Sequence, residues 1–127
     1  MADALTNTAE NRCLDFIMGL TTTAPTAPLR VALVTANGDD ATAGTEVTGG
    51  SYARQVLSVA AATGGVTSNS ADLVWAGLPA VTVVGVEIWD SATTPVRLWY
   101  GPLADPRTVA AGDDLKLPAG SLGVSIM

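Results

Sequence analysis

Residues 81–101 constrain the fold of this chain most: two apolar runs flank a polar, Pro-containing turn at 90–95. That is the pattern of a β-hairpin with a longer loop. In the first run Val84, Val86 and Ile88 fall on one face, with Val83, Gly85, Glu87 and Trp89 on the other. In the second, Val96, Leu98 and Tyr100 alternate with Arg97 and Trp99. Two of the three Trp and one of the two Tyr stand here, so the hairpin carries much of the large-area core material. The other apolar segments are shorter and predict strands that cover it.

The chain has 127 residues, enough for one domain with its own core. Its hydrophobic residues, 48% of the total, are mostly Ala, Val and Leu, and only 14% of residues are charged. This mixture suits short strands and tight turns better than long helices laced with ion pairs. Net charge is −6, and the six basic residues (Arg12, Arg30, Arg54, Arg97, Arg107, Lys116) are scattered singly. Phosphate binding needs clustered cations, so no nucleic-acid partner is expected. His is absent, which removes the commonest general base and transition-metal ligand. Cys13 is alone and excludes an internal disulfide; on the apolar side of a helical pattern it reads as a small buried hydrophobe. The first residues show no basic segment followed by an apolar run, and no stretch approaches a membrane span of about 20 apolar residues. Neither a signal peptide nor a membrane partner is expected.

Residues 5–20 predict the one helix: Leu5, Ala9, Cys13, Phe16, Ile17 and Leu20 form an apolar stripe. Asn7 with Glu10 has the spacing of an N-cap and its capping-box partner, with Thr6 competing, and Gly19 lies where a left-handed C-terminal residue belongs. Arg12 and Asp15 would face solvent or a partner. Residues 21–28 (TTTAPTAP) are an extended linker, because the β-branched residues and prolines disfavour helix. Strands are predicted at 29–35, 52–60, within 66–75, at 107–109, 114–117 and 121–127, with turns at 37–45, Gly64-Gly65 and 102–106. About eight short strands at this spacing predict a mainly β, single-domain fold like a β-sandwich or jelly roll, with one N-terminal amphipathic helix. The expected division is a helix and linker arm at 1–28 and a β-sandwich domain at 29–127.

Chemistry is hard to build from these residues. Lys116, the sole Lys, sits between two Leu in an apparent strand and reads as solvent-facing rather than as a base. Glu46, Glu87, Asp90 and Asp113 would be glycosidase candidates by residue type alone. The Gly-Gly pairs lack the Lys-Ser/Thr of a phosphate loop, and Asp39-Asp40 reads as a solvated turn rather than a cation site. No catalytic, cofactor-binding or metal-binding residue is therefore assigned, and the chain is read as a non-enzyme. In 45–55 (TEVTGGSYARQ) a Gly-Gly turn separates Glu46 from Tyr52 and Arg54. Either the charged pair closes a loop within the chain, or Arg54 forks onto a carboxylate of a partner.

Residues 46–55 (EVTGGSYARQ), then Ser68-Asn69-Ser70, Gly85 with Trp89-Asp90, Ala111-Gly112-Asp113 and Pro118-Ala119-Gly120 resemble, in order, a group of small structural proteins of tailed bacteriophages. Leu5-Thr6-Asn7 leading into a short amphipathic helix is also similar to theirs. The resemblance, which covers nearly the whole chain, is to tail-fibre or minor tail proteins and to capsid decoration proteins. It implies a virion structural protein made in the host cytoplasm and assembled on the particle exterior. The implied partners are the major capsid protein or tail proteins of the same virion, together with further copies of the chain as a homo-oligomer.

The absence of a stalk or repeat leans the expectation toward capsid decoration, with a tail-fibre or minor tail component as the alternative. Candidate partner contacts are Arg12, Asp15, Phe16, Glu46, Tyr52 and Arg54. A different reading is a host-surface carbohydrate-binding module, in which Trp75, Trp89, Trp99 and Tyr100 form a stacking platform rather than core.

Overall fold

A computed structural model describes residues 4–126. The chain is mainly β with one N-terminal helix, as its sequence predicts. The elements run β1 (Ala4–Leu5), α1 (Asn7–Ile17), β2 (Arg30–Ala36), β3 (Thr45–Glu46), β4 (Gln55–Val56), β5 (Val66–Ser68) and β6 (Leu73–Trp75). They continue with β7 (Val81–Trp89), β8 (Arg97–Val109), β9 (Leu115–Leu117) and β10 (Gly123–Ser125). The main sheet has the order β1-β8-β7-β2-β3, with β4 also paired to β2, and two ribbons, β5–β10 and β6–β9, complete the body. Every pairing is antiparallel.

The β7–β8 hairpin is the centre of this sheet. Ile88 lies opposite Trp99 and Gly85 opposite Pro102, but Val83 lies opposite Arg107, so residues 103–106 of β8 oppose Val84 alone. Such an insertion bends the strand and changes which face its side chains present. Alternation places Val84 with Val86 and Ile88; in the structure Val83 takes that place and is fully buried, while Val84 is half-buried. The turn expected at 102–106 is this bulge, and β8 runs through it. Pro102 and Pro106 lack amide hydrogens, which blunts the outer edge of β8 beyond its pairing with β1.

The core gathers Val31 and Leu33 of β2, Trp75 of β6, Leu78, Leu117 of β9 and Leu122, all at most 1% exposed. Truncating Trp75 to Ala would cost about 3–5 kcal/mol, the usual range for a buried aromatic. Asn69 organises the loops above this core. Its Nδ2 donates to the carbonyls of Ala71 at 2.9 Å and Pro118 at 3.0 Å, and its Oδ1 accepts the Leu122 amide at 2.9 Å.

Several sequence-based boundaries move, and the strand expected at 107–109 is the end of β8. The strand expected over 52–60 shrinks to Gln55–Val56, because the chain before it turns back through Ser51 and Tyr52, whose amides bond to Gly77 and Gly49. The helix starts at Asn7 rather than Leu5, since Leu5 pairs with Trp99 in the sheet. The closing strand covers only Gly123–Ser125, and the part of that expectation at Met127 lies outside the described residues.

Candidate functional site

The helix is pinned at both ends by local chemistry. Thr6, not Asn7, is the N-cap: its side chain accepts the Ala9 amide at 3.2 Å. Thr6 wins because its position also lets the hydroxyl donate to the Arg97 carbonyl at 2.9 Å and its amide bond to Leu98 at 3.0 Å. At the other end Gly19 has φ +79°, and the amides of Gly19 and Leu20 return to the carbonyls of Phe16 and Asp15. This closure needs a left-handed residue, and Gly adopts that conformation without a Cβ penalty.

Between those ends the apolar stripe is largely uncovered. Ala9 is buried, its small side chain seating the first turn, but Phe16 is 51% exposed, Leu14 64%, Ile17 77% and both Met18 and Leu20 78%. A groove of about 280 Å³ runs between the helix and its neighbours. Cys13, Phe16 and Ile17 form one wall, Leu98 and Trp99 of β8 the other, and Pro25 of the linker closes one side. Cys13 is thus half-buried in a groove wall rather than packed within the core. An uncovered apolar surface of this kind usually marks a contact site.

Polar anchors fix the rim. Asp90 at the hairpin tip is 3% exposed; its Oδ1 accepts the amides of Val96 at 2.8 Å and Ala92 at 3.3 Å. Arg12 of α1 reaches Asp90 Oδ2 at 3.8 Å while keeping 44% of its side chain exposed. The linker is held at the same tip, where the Ser91 amide donates to Thr26 at 2.9 Å and the Ser91 hydroxyl to the Pro28 carbonyl. Asp15 is exposed and enters no ion pair among the described residues.

The other candidate contacts form a separate cluster. Arg54 forks onto Glu46, Nη2 to Oε1 at 2.8 Å and Nε to Oε2 at 3.0 Å, and the Tyr52 hydroxyl donates to Oε2 at 2.6 Å. Tyr52 in turn accepts the Leu33 amide at 3.0 Å, and the guanidinium of Arg54 lies 4.3 Å from the Trp89 ring centroid. Burial alone would raise the Glu46 pKa, but the hydrogen bonds from Arg54 and Tyr52 and the Arg54 charge together hold it below the ordinary value. Burial, then the neighbouring carboxylate, pushes the Tyr52 hydroxyl far above its usual range, so it stays a donor. The trio therefore braces β3 and the loop before β4 against β2.

Further ionisable residues are engaged within the chain. Glu87, 1% exposed, accepts from Arg97 at 3.3 Å and from the Gly44 amide at 2.8 Å, and Arg97 donates to the Asp39 carbonyl. Asp39 caps its own turn through the amides of Ala41 and Thr42, Asp40 accepts the Tyr100 hydroxyl, and Lys116 pairs with Asp72 at 3.2 Å. The aromatics are divided: Trp75 is core, Trp89 lies beneath Arg54, and Trp99 lines the groove. Sequence reasoning missed Leu98, Trp99 and Pro25 as groove residues. The one signal was that the stripe of α1 is longer than a single Ala-sized contact can cover.

The ionisable clusters of this small β body brace its own loops, and its helix leaves an apolar groove open. Residues 4–125 match the model of the family described as podophage GP4 fiber I protein gp80, and the chain belongs to this family of phage structural proteins. No curated protein matches the chain.

Proposed function

We propose that the chain is a structural component of the phage tail fibre, carried on the exterior of the virion and acting through protein–protein contacts with other tail proteins. The observation that carries this reading is the family match, which spans residues 4–125 and names a fibre protein. The same observation favours the fibre over capsid decoration, because the missing stalk bears only on whether this chain is itself a shaft.

In this reading the arm, residues 1–28, and the groove it lines supply the contacts. Arg12, Asp15 and Phe16 of the arm are the contact residues, and Glu46, Tyr52 and Arg54 stiffen the β body that carries it. No reaction is assigned to the protein.

Mass spectrometry of separated heads and tails tests the proposal. The chain is expected to co-purify with tails. Recovery with heads, in constant ratio to the major capsid protein, would restore the decoration reading and overturn the fibre one.

A further inference from the structure

Asn37 and Gly38 stand where β2 gives way to a strap, residues 37–44, that leads into β3. The strap is tied to the central hairpin: Glu87 accepts the Gly44 amide at 2.8 Å, Arg97 donates to the Asp39 carbonyl, and the Tyr100 hydroxyl donates to Asp40. It also seats the helix, because the Asp40 carbonyl accepts the Asn7 amide at 3.2 Å. Packing requires glycine at 38, where a Cβ would lie 2.3 Å from the Thr42 carbonyl oxygen and 2.5 Å from the Gly44 nitrogen. The residue after Asn37 therefore has no side chain to obstruct an approach to the Asn37 amide. Asn37 is exposed, and among the described residues neither its side-chain amide nor the Gly38 amide makes a hydrogen bond. The other asparagines are protected. Asn7 and Asn11 lie in α1, whose regular backbone holds the following nitrogen away from the side-chain carbonyl carbon. Asn69 is 2% exposed with both its amide atoms bonded, and the next amide, of Ser70, donates to the Ser58 carbonyl at 2.8 Å.

We propose that Asn37 is a self-modification site, converted by the Gly38 amide, with water as co-reactant, into aspartate and isoaspartate. The Gly38 nitrogen gives up its proton to hydroxide and attacks Cγ of Asn37, an intramolecular step favoured by proximity. The new N–Cγ bond closes a succinimide while the Cγ–Nδ2 bond breaks, and Nδ2 takes up a proton and leaves as ammonia. Water then adds to one of the two ring carbonyl carbons, and the bond from that carbon to the ring nitrogen breaks. Opening at the main-chain carbon leaves isoaspartate, with the backbone routed through Cγ and one methylene longer. Opening at Cγ restores the normal backbone with aspartate. Nothing is oxidised or reduced: ammonia is lost, water is gained, and the chain acquires one negative charge. The Asn37 side chain lies over Gly85 on the side where the Gly101 carbonyl oxygen also stands, so aspartate sets a carboxylate against that oxygen. Isoaspartate lengthens the strap at its root and moves Asp39, Asp40 and Gly44 off their hairpin partners. Both products loosen the strap, and with it the start of α1. The inference concerns the purified chain and stands apart from the fibre reading.

The purified full chain is held at mildly alkaline pH and physiological temperature, sampled over days and digested with trypsin, which releases residues 31–54 between the cuts at Arg30 and Arg54. The expected result is the mass gain of NH2 replaced by OH at Asn37, with ammonia released in equal amount. The modified peptide should separate into two isomers, one of them methylated by isoaspartyl methyltransferase, and its rate of formation should rise with hydroxide concentration. The peptides carrying Asn7, Asn11 and Asn69 should stay unchanged. Asn37→Ser has no side-chain amide to attack and should stay unmodified. In the aged parent chain the amides of Asn7 and Gly44 should exchange hydrogen about tenfold faster than in the fresh chain or in Asn37→Ser aged alongside it. The parent chain alone carries the chemical test, so no variant has to fold for the result to count. Asn37 that stays intact in the folded chain, modification shared evenly among the asparagines, or aged strap amides that exchange no faster than fresh ones would each overturn the proposal.

Discussion

The hydroxyl of Thr6 donates to the main-chain oxygen of Arg97 at 2.9 Å and accepts the amide of Ala9 at 3.2 Å, so one side chain caps the helix and fastens it to the central hairpin. The distance between them in sequence is 91 residues. A single long-range contact therefore sets where the groove wall stands relative to β8.

Replacing Thr6 by Ala removes that cap and leaves a buried carbonyl short of a partner. The expected cost is about 1–2 kcal/mol of unfolding free energy. Asn7→Ala, at the neighbouring residue that sequence alone favours as the cap, should stay within about 0.5 kcal/mol of the parent. Urea titration of the two variants side by side separates the two caps.

Tyr52 links a buried amide of β2 to Glu46, and Phe in its place keeps the ring but orphans the Leu33 amide. A loss of about 1–3 kcal/mol is expected, the cost of an unsatisfied buried donor. Faster hydrogen exchange at the Leu33 amide would mark the site of the damage.

Glu46 gives the protein an acid-sensitive brace. Its pKa is lower folded than unfolded, so the folded state gains from its ionisation. That gain is fully present above the unfolded value of about 4.3 and disappears as the pH falls through the lower folded one. Glu46→Gln should be less stable than the parent at neutral pH, and the difference should narrow as the pH falls through this window. Thermal unfolding of both proteins across that range measures it; a gap that widens with acid would contradict the brace.

Gly85 is where the hairpin meets the loop after β2. A Cβ placed there would lie 2.0 Å from Asn37 Oδ1 and 2.8 Å from the Gly101 carbonyl. Gly85→Ala is expected to cost about 1–3 kcal/mol, typical of overpacking. Asn37→Gly in the same chain should recover part of the loss by removing the nearer clash, as a double-mutant cycle would show.

Much of this fold is legible in the residues themselves. The alternation of 81–89 and the polar turn at 90–95 give the central hairpin, the double Gly at 64–65 gives the β5 turn, and Gly19 gives the helix end. The face of Val83 is not legible, because it depends on the bulge at 103–106, and a bulge changes the period without changing composition. The N-cap was ambiguous for a similar reason: Thr6 and Asn7 both suit the position locally, and the decision comes from Arg97, far along the chain. In the candidate site, sequence pointed to Arg12 and Phe16. It did not show that α1 would keep its stripe open, which depends on how closely a tertiary neighbour approaches.

Immunogold labelling of intact phage particles with antibody to this chain tests the central claim most directly. Gold over the tail fibres is the predicted result. Gold over the head with none on the tail would contradict it.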